Sequence, residues 1–144
     1  MQLTLQSDYT LRVLIYLALK KDELSTIDEI AEAYQISAHH LTRIVHKLGE
    51  LAYINTQRGR GGGILLAQTP EKINIGEVIE KIENHFYIVE CFDPGKKCCV
   101  IQSICLLKPH IAEAAQSFIN TLKKKTLEDI ILNTRQLEKI LLKK

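Results

Sequence analysis

The residues best suited to chemistry in this 144-residue sequence are its four cysteines, because all of them fall within residues 91–105. They are Cys91, Cys98, Cys99 and Cys105. Cysteines used as small apolar side chains are scattered through a core, whereas these are grouped. In a reducing compartment, grouped thiols more often bind metal or sense redox state than form structural disulfides. The pattern therefore predicts a thiolate site.

The beginning of the chain favours such a compartment. Residues 1–20 do not read as a secretory signal, since Asp8 and Arg12 interrupt them and no small-residue cleavage site follows. No apolar run approaches the roughly 20 residues that a membrane span needs. The 46% hydrophobic and 25% charged residues are typical of an ordinary globular protein. We expect a cytoplasmic protein with no membrane partner.

The spacing of the thiols narrows the choice of metal. Zinc sites usually carry paired C-x-x-C ligands, and the sequence has none. Cys91, Cys99 and Cys105 are separated by seven and then five residues, which suits an iron–sulfur cluster held in an extended loop. Adjacent Cys98 and Cys99 cannot easily both be ligands. Spacing alone favours iron–sulfur, with zinc and redox-active or inert thiols as alternatives.

The elements that position this loop begin with three helices. Apolar residues at helical spacing predict a first helix near residues 4–20. A capping box of Thr26 and Glu29 starts the second, and Ser37 is the predicted N-cap of the third. Only residues 35–37 separate the last two helices, so the pattern predicts a helix-turn-helix.

The third predicted helix has an outer face that suits DNA. Solvated faces usually mix charges, but residues 38–47 contain no acid. Arginine and threonine side chains on such a face can reach phosphates and base edges. A solvated face is the alternative. The predicted DNA contacts here are Ser37, His39, His40, Thr42, Arg43, His46 and Lys47.

A glycine-rich basic turn follows, between two short strand-like runs at 52–57 and 64–67. The pattern predicts a β-hairpin that serves as the wing of a winged helix. Residues 58–63 lack the spacing of a nucleotide-binding loop, and an ordinary flexible loop is the alternative. The predicted DNA contacts of this wing are Arg58, Gly59, Arg60 and Gly61.

The C-terminal half contains further helices. Asn74 and Glu77 can cap a fourth, and Thr126 with Asp129 a later short one. Between them, residues from about 106 to 122 form a long amphipathic pattern. A winged-helix domain does not need this long helix for its own core. We therefore predict that the long helix packs against a second subunit and forms a dimer. Covering the core of its own chain is the alternative.

These patterns predict a mainly α fold: a winged helix-turn-helix domain with a small β-hairpin wing, plus a long C-terminal dimerisation helix. The expected divisions are 1–70 for the DNA-binding domain, 71–105 for a linking helix and cluster loop, and 106–144 for the dimerisation helix and short C-terminal helices. No C-x-x-C, G-x-S-x-G or acid–base constellation indicates an enzyme.

The sequence also resembles a known family over nearly its whole length. Three stretches carry the resemblance with the cysteines: M-Q-L-T-L-Q-S-D-Y-T-L-R-V-L-I-Y-L-A, I-S-A-H-H-L-T-R-I-V-H-K-L-G and R-G-R-G-G-G-I-L-L-A. They are similar to the IscR/NsrR group of winged-helix iron–sulfur repressors, and most similar to its nitric-oxide-sensing branch. The resemblance implies a homodimer that binds double-stranded operator DNA and releases it when nitric oxide nitrosylates or removes the cluster.

The resemblance further implies a ligand set. Cys91, Cys99 and Cys105 match the three cysteine ligands, with Cys98 as an alternative to Cys99. Asp8 of the partner subunit would be the fourth ligand of a 4Fe–4S cluster, although from the residues alone Asp8 reads as a polar first-turn residue. A 2Fe–2S cluster is possible. The other branch has histidine where this chain has Lys108. The functional alternatives are an IscR-like iron–sulfur-status or redox regulator and a zinc- or thiol-based regulator.

Overall fold

A computed structural model describes residues 3–83, 85–97 and 99–143. The mainly α fold with one hairpin is confirmed. Cys98, the alternative ligand, lies outside the described residues. In chain order the elements are α1 (Leu5–Lys20), α2 (Ile27–Tyr34), α3 (Ala38–Glu50), β1 (Ile54–Gln57), β2 (Gly63–Leu66), α4 (Ile75–Ile82), α5 (Leu107–Leu122), α6 (Leu127–Ile130) and α7 (Thr134–Leu141).

Side-chain caps fix most of the predicted helix starts. Thr26 and Glu29 form the expected capping box at α2, and Asn74 accepts a hydrogen bond from the backbone N–H of Glu77 at α4. A second capping box starts α6, where the backbone N–H of Thr126 donates to Asp129 at 2.9 Å and lowers the pKa of that carboxyl. Ser37 occupies the N-cap position of α3, but its side chain makes no capping bond.

The core is built around α1, whose Val13, Leu14 and Leu17 are fully buried. Helices α2, α3, α4, α6 and α7 and strand β2 all contact α1. Ile30 of α2 and Leu41 of α3 complete the centre of the three-helix unit. Apolar burial of this kind holds α3 at a fixed angle to the rest of the fold.

The wing is an antiparallel hairpin in which Ile54 pairs with Leu66 and Gln57 with Gly63. A third segment anchors it. The backbone groups of Ser25 and Ile64 exchange two hydrogen bonds, at 2.9 and 2.8 Å. Because Ser25 lies between α1 and α2, these bonds attach the wing to the helical unit.

The C-terminal end of α5 is joined tightly to the beginning of α4. The Asn74 side chain donates to the carbonyl of Lys123 at 2.7 Å, and Ile119 is buried. A Cβ added at Gly76 would lie 2.6 Å from the backbone nitrogen of Lys123. The intrachain alternative for the long helix is therefore correct for this end of α5. Dimerisation through the rest of it stays a prediction.

The segment after α5 returns to the N-terminal helices. Leu127 of α6 and Leu141 of α7 are buried, and the amine of Lys143 pairs with Glu32 of α2 at 2.7 Å. The predicted three-part division of the chain stays a prediction, and within residues 127–143 helices α6 and α7 contact α1 and α7 also contacts α2. Among the described residues, no helix has both the length and the apolarity to cross a membrane.

Candidate nucleic-acid interface and thiolate loop

Helix α3 presents the predicted polar face. Its apolar residues Leu41, Ile44, Val45 and Leu48 are buried against the helical unit, which turns the opposite face outward. Of the residues predicted to contact DNA, Lys47 is half-buried, and the exposed ones are Ser37, His39, His40, Thr42, Arg43 and His46. The structure therefore gathers all seven at one accessible surface.

Glu50 makes the charge of this surface less uniform than residues 38–47 indicate. One carboxylate oxygen lies 3.5 Å from Nδ1 of His46, and the other lies 3.4 Å from the amine of Lys47. The i, i+3 and i, i+4 spacing of these residues could have predicted both contacts. Residues 38–47 themselves contain no acid, and Glu50 adds one beside them at the C-terminal end of α3.

In the first two turns of α3, Thr42 and Arg43 differ in whether their donors are already engaged. Thr42 is exposed, and its hydroxyl donates to the carbonyl of Ala38 at 2.9 Å, so the hydroxyl oxygen keeps only its acceptor capacity for another partner. Within the described ranges, no ion pair or side-chain hydrogen bond engages Arg43. Arg43 is therefore a cation of this face without an ion-pair partner among the described residues.

The wing tip has the backbone geometry that its glycines allow. Gly59 and Gly61 have φ of +100° and +78°, values that side-chain-bearing residues rarely adopt. Arg58 and Arg60 are exposed beside them, without an ion pair to any described residue. Strand β1, which leads to this second cationic surface, contacts α3.

The described thiols lie on the loop between α4 and α5. Cys91 is half-buried in a turn of 3₁₀-helix (Glu90–Phe92), Cys99 is exposed, and Cys105 is half-buried just before α5. All three are free thiols. In one chain the described His, Cys, Asp and Glu residues form no group of three that could hold a metal ion. The predicted ligands therefore share a loop but are not assembled around a point.

Asp8 lies on the first turn of α1 and forms a two-point ion pair with Arg12. Oδ2 is 2.8 Å from Nη2 of Arg12, and Nε of Arg12 donates to Oδ1 at 3.2 Å. The carboxylate remains accessible, with its side chain 43% exposed. It is thus an anionic donor on the surface, held by a cation of its own helix.

Arg12 connects this carboxylate to the other two helices of the unit. Its guanidinium lies 5.5 Å from the ring centre of Tyr9 and 5.8 Å from that of Tyr34 at the end of α2. The Tyr9 ring is 6.4 Å from His40 on α3. Burial raises the pKa of Tyr34 to about 12, so the phenol stays neutral beside Asp8.

The sequence analysis did not predict the Asp8–Arg12 contact, although the i, i+4 spacing of the two residues could have indicated it. The Arg12–Tyr34 and Tyr9–His40 contacts depend on the packing of three helices, so no local pattern in the sequence predicts them.

Comparison with known proteins identifies the family. Residues 3–133 match the Rrf2 family, described as an iron-dependent transcriptional regulator. The chain belongs to the Rrf2 family. It is 50% identical to the HTH-type transcriptional regulator NsrR of Bacillus subtilis over 142 residues, which cover 98% of this chain and 97% of that protein. A regulator of the same name from Oceanobacillus iheyensis is 49% identical over 138 residues, 95% of this chain and 94% of its own.

Solved Rrf2-like structures share the fold. "T. potens IscR" superposes with a TM-score of 0.75 at 20% identity, over 94% of this chain and 90% of that one. CymR, "the Global Cysteine Regulator of B. subtilis", gives 0.67 at 24%, over 90% and 95%. At these low sequence identities the superpositions show the shared fold alone. As a member of the Rrf2 family this chain is a DNA-binding transcriptional regulator of the NsrR type and not an enzyme.

The donor set of this Rrf2 chain fits an iron–sulfur group. Three free, accessible thiols stand on one loop, and none of them is committed to a disulfide. Thiolates are the ligands that such clusters take most often. Asp8 adds a carboxylate, but it does not line the depression that contains Cys91. A set that includes Asp8 therefore has to draw on a second chain or on a rearranged loop.

Proposed function

We propose that this chain is a cytoplasmic repressor that senses nitric oxide through an iron–sulfur cluster and then releases its operator. The observation that carries the proposal is the grouping of three free thiols on the loop before α5. The proposal is also supported by the 50% identity of this chain, over nearly its full length, to a regulator named NsrR. The membership of this chain in the Rrf2 family of DNA-binding regulators does not depend on this proposal.

The thiolates of Cys91, Cys99 and Cys105 would hold the cluster, and Asp8 of the partner subunit would complete a 4Fe–4S set. A cluster bound there supplies iron atoms that react with nitric oxide. Oxygen is a harder and weaker ligand for such iron than thiolate sulfur. Asp8 would therefore be the ligand most easily displaced, which makes it the point at which the two chains separate.

A second copy of the chain is supported by apolar residues that one chain leaves uncovered. Val100 is 97% exposed, Ile104 77% and Leu106 81%, and Leu107 at the start of α5 is also exposed. Exposed apolar residues this close together are characteristic of interfaces. We propose that they and the N-terminal part of α5 meet their counterparts in a two-fold dimer, which matches a two-fold operator.

The contacts of Arg12 give a route from the ligand to the DNA surface. When Asp8 is bound by the partner's loop, the first turn of α1 is fixed relative to that loop. When Asp8 is released, its carboxylate can return to Arg12, which rests on Tyr9 and Tyr34. Tyr9 adjoins His40 on α3. This exchange would therefore change the orientation of α3 and the distance between the two α3 helices of the dimer, each of which would bind one operator half-site.

The test is metal content with and without the proposed ligands. Anaerobically purified protein is expected to contain iron and acid-labile sulfide and to absorb broadly near 400 nm, roughly where iron–thiolate charge transfer falls. Cys91→Ser, Cys99→Ser and Cys105→Ser should each lose most of both. Cys98→Ser is the matched control and should retain them. A colourless, zinc-containing protein, or equal retention by all four variants, would overturn the proposal.

A further inference from the structure

The surroundings of Cys91 have a charge that the regulator's function does not use. A surface depression of about 230 Å³ is lined by Cys91 together with Lys96, Lys97, Gln102, Lys108 and Asp93. Three cations thus face one anion around a single thiol. The Asp93 carboxylate is partly occupied, because it accepts a hydrogen bond from the backbone N–H of Gly95 at 2.8 Å. The depression carries a net positive charge.

The lysines are available to a ligand. Lys96 and Lys97 are exposed, and within the described segments none of the three lysines takes part in an ion pair. The amine of Lys108 lies 5.9 Å from the ring centre of Phe92, the residue after Cys91. Lys108 and Cys91 line the same depression, and the ammonium is available there to bind an anion.

We propose that this depression is a binding site for small carboxylate-bearing disulfides, which form a mixed disulfide with Cys91 in the cluster-free chain. The lysines bind the carboxylates and hold a disulfide sulfur against the thiol. The Cys91 thiol gives its proton to water and its sulfur attacks one ligand sulfur. A Cys91–sulfur bond forms, the ligand's S–S bond breaks, and the second half leaves as a thiolate. The ligand is the oxidant, so the electrons balance.

The site would give the cluster-free chain a reversible chemical state. Cys91 is also a proposed cluster ligand, and a sulfur in a mixed disulfide is not available to iron. Modification would therefore delay cluster assembly until a thiol reduces the bond. The binding and thiol exchange themselves do not rest on the proposed function, because they concern only the chain without metal.

The test compares an anionic and a neutral disulfide on the full-length, reduced, chelator-treated protein with Cys98, Cys99 and Cys105 replaced by serine. The probes are dithiobis-nitrobenzoate, a dicarboxylate, and dithiodipyridine, which is uncharged. Both react with the same thiolate, so the ratio of their rate constants removes the thiolate population. The rate constant for the anionic probe divided by that for the neutral probe should fall about threefold in Lys108→Gln and in Lys96→Gln. Added salt should lower the same ratio.

Two controls isolate the depression. Lys124→Gln removes a cation outside it and should leave the ratio unchanged. A variant that keeps only Cys105 should show a lower ratio that does not respond to Lys108→Gln. If Lys108→Gln and Lys96→Gln leave the Cys91 ratio unchanged, or if Cys105 responds equally, the proposal is wrong. Peptide mass mapping of the four-cysteine chain supplies a second measurement if the serine variants do not fold: the anionic probe should label Cys91 first, and preferential labelling elsewhere contradicts the site.

Discussion

Asp8 and Arg12 are bound to each other through both carboxylate oxygens, at 2.8 and 3.2 Å, on the outer side of α1. This contact holds the one proposed cluster ligand that lies outside the thiolate loop. Since Arg12 also rests on Tyr9 and Tyr34, taking Asp8 away removes the partner of a cation that links three helices. Ligand exchange at Asp8, as proposed, would therefore alter contacts of Arg12 with both α1 and α2.

The first prediction concerns Asp8. Asp8→Ala should lose cluster iron to a chelator at least several times faster than the natural chain, because one ligand is missing. The fold should change little, since a partly exposed i, i+4 ion pair contributes only about 0.3–0.5 kcal/mol. Asp22→Ala, which removes an exposed acid at the other end of α1, is the matched control. Equal chelation rates in Asp8→Ala and the control would exclude Asp8 as a ligand.

The second prediction separates the two charge environments on α3. Arg43→Ala should weaken operator binding at least tenfold and reduce the salt dependence by about one charge, since Arg43 has no competing acid among the described residues. Glu50→Gln should strengthen binding a few-fold, because it frees His46 and Lys47 from the Glu50 carboxylate. Fluorescence anisotropy over a salt series measures both. A loss of affinity in Glu50→Gln would contradict this view of the surface.

The third prediction tests the proposed dimer surface. Leu107→Asp places a charge on an exposed leucine at the start of α5 and should shift the protein from dimer to monomer in sedimentation velocity. Its helix content should remain, because the side chain is not part of the described core. Ile140→Asp on α7 is the control, as it charges a comparably exposed apolar residue elsewhere. A monomeric natural chain would contradict the proposed dimer, and dimers in both variants would place the interface elsewhere.

The fourth prediction concerns the junction of α4 and α5. Gly76→Ala should cost about 1–3 kcal/mol, because the new Cβ would lie 2.6 Å from the backbone nitrogen of Lys123. Gly49→Ala is the matched control. That glycine has open space around it in α3, so alanine there should be neutral or stabilising by up to about 1 kcal/mol. Thermal unfolding of both variants measures the difference, and equal melting temperatures would contradict the close approach.

Local sequence signals predicted much of this fold. The capping boxes at Thr26 and Thr126 start their helices as expected, since each needs only residues three apart. Ser37 shows the limit, because it stands at the N-cap of α3 without making the capping bond. The return of α7 to α1 and α2 was not predicted. It depends on Leu141 reaching a core built from distant residues.

The sequence predicted some features of the candidate sites and missed others. The polar face of α3 follows from helical periodicity, and its predicted residues are exposed apart from the half-buried Lys47. The ligand role of Cys91, Cys99 and Cys105 stays a prediction, because thiols on a loop converge only when a metal or a second chain organises them. The lysines around Cys91 were unforeseen, since Lys108 reaches the depression through the fold of the loop.

The most direct test of the central claim is an anaerobic nitric oxide titration that records absorbance and operator binding on the same sample. We expect the band near 400 nm, roughly the region of iron–thiolate absorption, to bleach in step with loss of operator binding. Protein stripped of iron beforehand should not respond to the gas. Operator binding that persists after complete bleaching, or an equal response in iron-free protein, would contradict cluster-based sensing.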